Sequence, residues 1–181
     1  GDSTFFHTGV NSLLDVAYNK SNLITVVLDN RITAMTGQQD NPGSGRTIRG
    51  EVTEAVSIEA IVRALGFKNV RVINPNQLKE VKDALDWALS LQEPSVIITR
   101  WPCVLKMQTA LDKKEFKDAF TSVYRVNEET CIGCKICLRT GCPAIVFQVD
   151  KKKAYIDPEK CVGCSVCAQV CPVDAIQKVE A

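Results

Sequence analysis

The sequence predicts an α/β layer built on a parallel sheet, followed by a small α+β module. Three observations carry that reading. Helical patterns and β-branched apolar runs alternate through residues 1–102. From Arg125 the texture changes, and VNEETCIGCKICLRTGCPAI aligns with IDPEKCVGCSVCAQVCPVDAI thirty positions later. Eight of the nine cysteines fall inside that repeat.

The elements follow in order. Asn11 to Tyr18 (NSLLDVAY) is a short helical pattern. Leu23 to Leu28 (LITVVL) is a continuous apolar run, which predicts a strand buried on both faces. Asp29 to Gly50 is a long polar loop, of the kind that is functional or mobile. Ser57 is placed to N-cap a helix reaching Leu65, with Gly66 at its C′ position. Val70 to Ile73 is a strand. Asn76 is placed to cap a helix from Gln77 to Leu91, with Leu78, Val81, Leu85, Trp87 and Leu89 as its apolar face. Ser95 to Arg100 (SVIITR) is the last strand of the layer. Strand–helix alternation with buried strands argues for parallel pairing. Residues 103–124 form a connector with a short exposed helix from Asp112 to Phe120. Residues 125–181 repeat a strand, a cysteine-rich turn and a helix. They predict a pseudo-twofold module with Phe147–Val149 and Ala154–Ile156 as its central hairpin.

The composition excludes several classes. Lys and Arg number 22 against 21 Asp and Glu, and the two signs are interleaved, so no nucleic-acid surface is expected. Lys151, Lys152 and Lys153 read as a solvated hairpin turn before a docking patch. No apolar stretch is long enough to span a membrane, and no basic segment opens the chain as in an export signal. Cysteine-rich chains of this kind bind metal in a reducing cytoplasm more often than they form disulfides. Gly1 opens the chain inside a motif, so the α/β layer is expected to be partial, the C-terminal portion of a larger domain.

The cysteine spacing is informative. Cys131-x2-Cys134-x2-Cys137-x4-Cys142-Pro143 is followed by Cys161-x2-Cys164-x2-Cys167-x3-Cys171-Pro172. This is the spacing of bacterial-type two-cluster ferredoxins, in which the fourth cysteine of each run ligates the other cluster. That rule assigns Cys131, Cys134, Cys137 and Cys171 to one [4Fe-4S] cluster, and Cys161, Cys164, Cys167 and Cys142 to the second. Each fourth cysteine is expected on a helix that points away from its own triplet. Zinc sites use paired CxxC units and fit the triplets badly. The x4 step before Cys142 departs from the pattern by one residue, which Gly141 is placed to absorb. Cys103, in Trp101-Pro102-Cys103, is expected to be a buried free thiol.

Gly1-Asp2-Ser3 is followed, one helix and one strand later, by Asp29-Asn30-Arg31-Ile32. Both lie where parallel α/β sheets bind ligands. A carboxylate, an amide oxygen and a carbonyl are hard donors suited to magnesium. The pair resembles the thiamine diphosphate signature GDG…NN, here GDS…DN. Thr33-Ala34-Met35-Thr36-Gly37-Gln38-Gln39 behind it is similar to the MTG-Q segment of 2-oxoacid:ferredoxin oxidoreductases. The whole chain resembles that family, in particular the C-terminal part of its indolepyruvate-type α subunits.

The resemblance implies magnesium ligation by Asp2, Asn30 and the Ile32 carbonyl. It places Gly1, Ser3, Thr36 and Gly37 beside the cofactor, and His7, the single histidine, beside substrate or thiazolium, against a reading in which His7 packs locally. It implies oxidative decarboxylation of arylpyruvates such as indolepyruvate with CoA, giving aryl-acetyl-CoA and CO2. Electrons pass through two [4Fe-4S] clusters to an external ferredoxin. A β subunit in a hetero-oligomer is implied as well. Pyruvate or another 2-oxo acid is the alternative substrate. A non-catalytic electron-transfer module is the alternative of another class. The activating glutamate of thiamine enzymes belongs to a pyrimidine-binding domain not found in this sequence, so these residues alone are expected to be inactive.

Overall fold

Three parallel strands organise the first half of the chain: β1 (Ile24–Asp29), β2 (Asn69–Ile73) and β3 (Ser95–Arg100). β3 lies in the centre, with Val26 and Val70 paired to Ile97 and Val96. Val96, Ile97 and Ile98 are buried on both faces of the sheet, as their unbroken apolar run requires. The computed structural model describes residues 1–180. It divides into two units, Gly1–Pro75 with Lys79–Asp112, and Asn76–Leu78 with the chain from Lys113 onward.

In the first unit one face of the sheet carries Phe5, Leu13, Ile58, Val62 and Phe67 over Val27, Val70, Val96 and Ile98. The other face carries Ala84 and Ala88 against Ile73 and Ile97. Several expectations change here. β1 is an edge strand, so Val27 is buried while Val26 and Leu28 are exposed among the described residues. The helix Leu78–Ser90 turns Ala84 and Ala88 inward, with Val81 and Trp87 beside them; Leu85 and Leu89 face outward. Small side chains win the inward stripe because they let the helix approach the sheet closely. Trp87 is covered instead by the Arg71 guanidinium, 4.1 Å from its ring centroid.

The first helix is longer than its periodicity predicts. It begins at Asp2, runs through a π-helical turn at Phe5–Gly9, and continues as Val10–Tyr18. Burial of Phe5 anchors this early turn, with Phe6 edge-on to it at 5.6 Å. Helix Ile58–Ala64 starts as expected: Ser57 Oγ accepts the Ala60 N–H at 3.2 Å. The polar segment after β1 is folded through antiparallel bridges at Thr33–Gln39 and Arg46–Val52, with Asn41 and Ser44 buried.

The connector helix is Ala110–Glu115, shorter than expected, and Asp112 is buried where exposure was expected. Thr109 and Asp112 form a reciprocal cap. The Asp112 N–H donates to Thr109 Oγ1 at 3.2 Å, and the Thr109 N–H donates to Asp112 Oδ2 at 2.9 Å. Lys106, also buried, donates to the same carboxylate oxygen at 2.7 Å.

The second unit contains two antiparallel pairs. β4 (Ser122–Val126) pairs with β7 (Ile176–Glu180), and β5 (Ile145–Gln148) pairs with β6 (Lys153–Ile156). The β5–β6 hairpin lies slightly upstream of the expected positions. Each repeat runs strand, cysteine loop, short helix, strand, so each of the two pairs joins the first strand of one copy to the last of the other. The helices are a 3₁₀ segment, Ile136–Thr140, and an α segment, Val166–Gln169.

Candidate cofactor sites

The cysteine loops are shaped by backbone contacts that repeat across the pseudo-twofold. Gly133 and Gly163 have φ of +69° and +70°. A Cβ on Gly133 would stand 2.3 Å from the Lys152 carbonyl oxygen, and one on Gly163 would stand 2.2 Å from that of Ser122. Each loop is thus pressed against a carbonyl of the other copy, where only glycine fits. Lys135 and Ser165 follow in the left-handed region at +64° and +66°.

These turns gather the thiols in crossed sets. Cys131, Cys134 and Cys137 line one cavity together with Cys171. The Cys137 thiol is pushed up by burial, and further by Cys134, Cys131 and Cys171. Burial pushes Cys167 up to about 12, with Cys164, Cys161 and Cys142 adding to it. Each fourth cysteine therefore neighbours the triplet of the other repeat. Cys142 and Cys171 lie in turns just past the short helices and not on them, because each helix has already ended. Gly141, at φ +69°, closes the longer first helix and takes up its extra residue. Backbone N–H groups of Tyr124 and Ala175 donate to Cys161 Sγ and Cys171 Sγ, each at 3.3 Å.

In the first unit the start of the first helix meets the loop after β1. Thr33 Oγ1 donates to Ser3 Oγ at 2.9 Å. Asp2 is buried, and its carboxylate accepts from the Ser3 N–H at 2.8 Å and from Asn41 Nδ2 at 3.0 Å. Burial raises its pKa, the Asn41 and Ser3 bonds lower it, and Asp29 raises it again. Among the described residues no ion pair compensates Asp2. Asp29 is itself occupied, with Arg100 Nε at 2.7 Å and Arg31 Nε at 3.5 Å. Asn30 Oδ1 accepts the Ile32 N–H at 3.2 Å, in an Asx turn that fixes the loop. The backbone carbonyl of Asn30 accepts from the Cys103 N–H at 3.0 Å. Cys103 is half-buried, not fully buried, because its segment seals the edge of this loop.

The other expected residues are exposed, not buried with Asp2. Gly1 is exposed. Thr36 and Gly37 form an exposed tip, where Thr36 Oγ1 donates to Gln39 Oε1 at 2.6 Å. His7 is exposed on the π-helical turn, and its imidazole makes no hydrogen bond to another described residue. Asn41 escaped the sequence reading, since its partner Asp2 lies 39 positions away. The Asn-Pro-Gly turn signal at residues 41–43 was the available clue.

Residues 1–99 match the thiamine pyrophosphate enzyme C-terminal TPP binding domain, over more than half of the chain. The chain belongs to that family. Residues 123–178 match the 4Fe-4S dicluster domain. Among curated relatives, indolepyruvate oxidoreductase subunit IorA of Pyrococcus horikoshii is 47% identical over 99% of this chain and 27% of its own length. The subunit of the same name from Pyrococcus abyssi is 46% identical over 99% of this chain and 27% of its own. That of Archaeoglobus fulgidus is 41% identical over 100% and 28%. The chain thus spans little more than a quarter of these relatives.

As a thiamine pyrophosphate family member, the chain presents donors that fit the expected groups. Asp2, Asn30 and Ile32 offer a carboxylate, an amide oxygen and a carbonyl, a hard-oxygen set that suits magnesium. The buried carboxylate of Asp2 makes no ion pair among the described residues, and a bound metal would supply one. The crowded thiols likewise raise one another and need positive charge to ionise together, which iron provides. Among the described residues no group of three or more His, Cys, Asp or Glu side chains converges on a single ion. Both donor sets are of another kind. One mixes a single carboxylate with amide and carbonyl oxygens, and the thiolates of a cluster bind separate irons. No described helix is long and apolar enough to cross a membrane.

Proposed function

We propose that the chain forms the cofactor-anchoring and electron-relay part of an indolepyruvate:ferredoxin oxidoreductase. The reaction is oxidative decarboxylation of an arylpyruvate with CoA to aryl-acetyl-CoA and CO2, with external ferredoxin as electron acceptor. One observation carries this reading: a thiamine pyrophosphate domain and crossed sets of cysteines share a single chain. The identity with relatives named for indolepyruvate supports the choice of substrate.

Thiamine diphosphate, when bound, supplies the carbanion chemistry that releases CO2, and paired [4Fe-4S] clusters supply one-electron acceptors for the two electrons left behind. The chain's own residues anchor these groups. Asp2, Asn30 and the Ile32 carbonyl would hold magnesium, and Asn41 orients the Asp2 carboxylate. Gly1, Ser3, Thr36 and Gly37 border the diphosphate. Cys131, Cys134, Cys137 and Cys171 hold one cluster; Cys161, Cys164, Cys167 and Cys142 hold the other. His7, exposed on its π-helical turn, is assigned to the substrate. The activating glutamate is assigned to residues outside these 181, and a β subunit completes the enzyme.

The test uses the full-length subunit with its partner, under anaerobic conditions, with a viologen dye as acceptor. Indolepyruvate and phenylpyruvate are expected to exceed pyruvate in kcat/KM by at least about tenfold, within the range that apolar pocket contacts supply. A preference for pyruvate overturns the arylpyruvate assignment.

A further inference from the structure

We infer that the first cysteine motif, with the lysine turn packed on it, is the docking surface for an acidic one-electron carrier protein. The cluster of Cys131, Cys134, Cys137 and Cys171 is then the point of electron exit. This inference rests on the proposed function and adds the exit site to it.

The two repeats share a fold but differ in charge and exposure. Cys134 is exposed, whereas its counterpart Cys164 is half-buried. Ile132 is 64% exposed against 36% for Val162. The first loop carries Lys135 and Arg139; the matching stretch Val162–Val170 has no charged residue. The 151–153 turn, read from sequence as a solvated hairpin turn ahead of a docking patch, packs on this motif. The Lys152 carbonyl meets Gly133, and the Lys153 ammonium donates to the Cys131 carbonyl. The Lys135 ammonium sits 4.3 Å from the Phe147 ring centroid.

The first motif and its turn therefore carry five cations, Lys135, Arg139, Lys151, Lys152 and Lys153, against three acids, Glu128, Glu129 and Asp150. Glu128 is already taken by Lys151 at 2.8 Å. Around the second motif the balance reverses: Lys160 stands against Asp157, Glu159 and Asp174, and is itself bound to Asp157 at 3.0 Å. An acidic partner is steered to the first motif and repelled from the second. Ile132 and Ile136 supply an exposed apolar centre within the cationic rim. That anatomy suits a small, short-lived electron-transfer contact. In each encounter the cluster loses one electron and the carrier gains it, with no proton or group transferred. Two encounters clear the two electrons of one turnover.

The test compares the complete, iron-loaded enzyme with an Arg139→Glu/Lys152→Glu variant. Binding of a ferredoxin of strongly negative net charge is measured by calorimetry, without substrate, at low and moderate salt. The variant is expected to bind about tenfold more weakly or worse, with a flattened salt dependence. Dye reduction by 2-oxo acid is expected to be unchanged. Lys160→Glu is expected to alter binding less than about twofold. Should the reversal lower iron loading, Arg139→Gln/Lys152→Gln is read instead, with about threefold weaker binding expected. An unchanged affinity and salt slope, or equal weakening by Lys160→Glu, overturns the docking surface. Wild-type enzyme that fails to reduce dye with any 2-oxo acid refutes the proposed reaction, while the binding comparison still judges the surface.

Discussion

A Cβ at Gly163 would stand 2.2 Å from the Ser122 carbonyl oxygen, a backbone atom that cannot rotate aside. Gly163→Ala therefore combines a left-handed penalty of about 1 kcal/mol with a steric displacement of the cysteine loop. A total destabilisation of about 2–4 kcal/mol is expected, together with lower iron content per chain; normal iron and an unshifted Tm would refute the account. Asp2 makes a different kind of prediction. Among the described residues, Ser3 and Asn41 are the hydrogen-bond donors to its buried carboxylate. Asp2→Asn removes the charge that the proposed magnesium would need and relieves a buried anion that has no ion pair among the described residues. In the full-length subunit, affinity for thiamine diphosphate with magnesium is expected to fall by more than about 100-fold. Cofactor-free stability is expected to stay level or rise. Equal affinity by calorimetry would favour a non-catalytic module.

At the scale of elements, the connector helix depends on Asp112. Burial pushes this carboxyl up, but bonds from Lys106 and Thr109 outweigh it and hold the group below its ordinary 3.8. A depressed folded value means stability that is fully present above the unfolded value and is lost as pH falls through the folded one. The acid limb of a stability–pH profile should therefore steepen below about pH 4. Asp112→Asn should flatten that limb and cost about 3 kcal/mol at neutral pH, since Lys106 is left buried and unpaired. An unchanged acid limb would remove Asp112 from the account. Ser57→Ala should cost about 1 kcal/mol through loss of its cap, read as a lower Tm. These elements also mark what the sequence made legible. The Ser57 cap and the SVIITR strand are local signals, and both appear where expected. The crossed gathering of the thiols was legible because their repeated spacing marks two matching loops. The Asp112 burial was not, since its partner Lys106 looked like any solvated lysine. The inward stripe of Leu78–Ser90 was misjudged because several leucines offered competing faces, while the distance to the sheet favoured alanine. Asn41 stayed hidden because its role exists only once the chain returns to Asp2.

The whole molecule is built on two kinds of core. The first unit buries aliphatic and aromatic side chains against a parallel sheet. The second buries Cys131, Cys137 and Cys167 among Ala144, Ala154 and Ala175, with Ile145, Ile156 and Ile176 as its large apolar members. Three of those nine positions are thiols beside the proposed clusters. Without metal they lose both their bonds and the charge that compensates them, so folding and metal binding are coupled in this unit. Anaerobic iron analysis should return about eight irons per chain. Stripping that iron with chelator and oxidant should expose the amides of residues 122–180 to hydrogen exchange. Residues 24–29, 69–73 and 95–100 should keep their protection, because their core contains no cysteine. Uniform loss of protection in both regions, or full retention in residues 122–180, would contradict a core held by its metal. Half the iron with intact protection would assign that role to a single cluster.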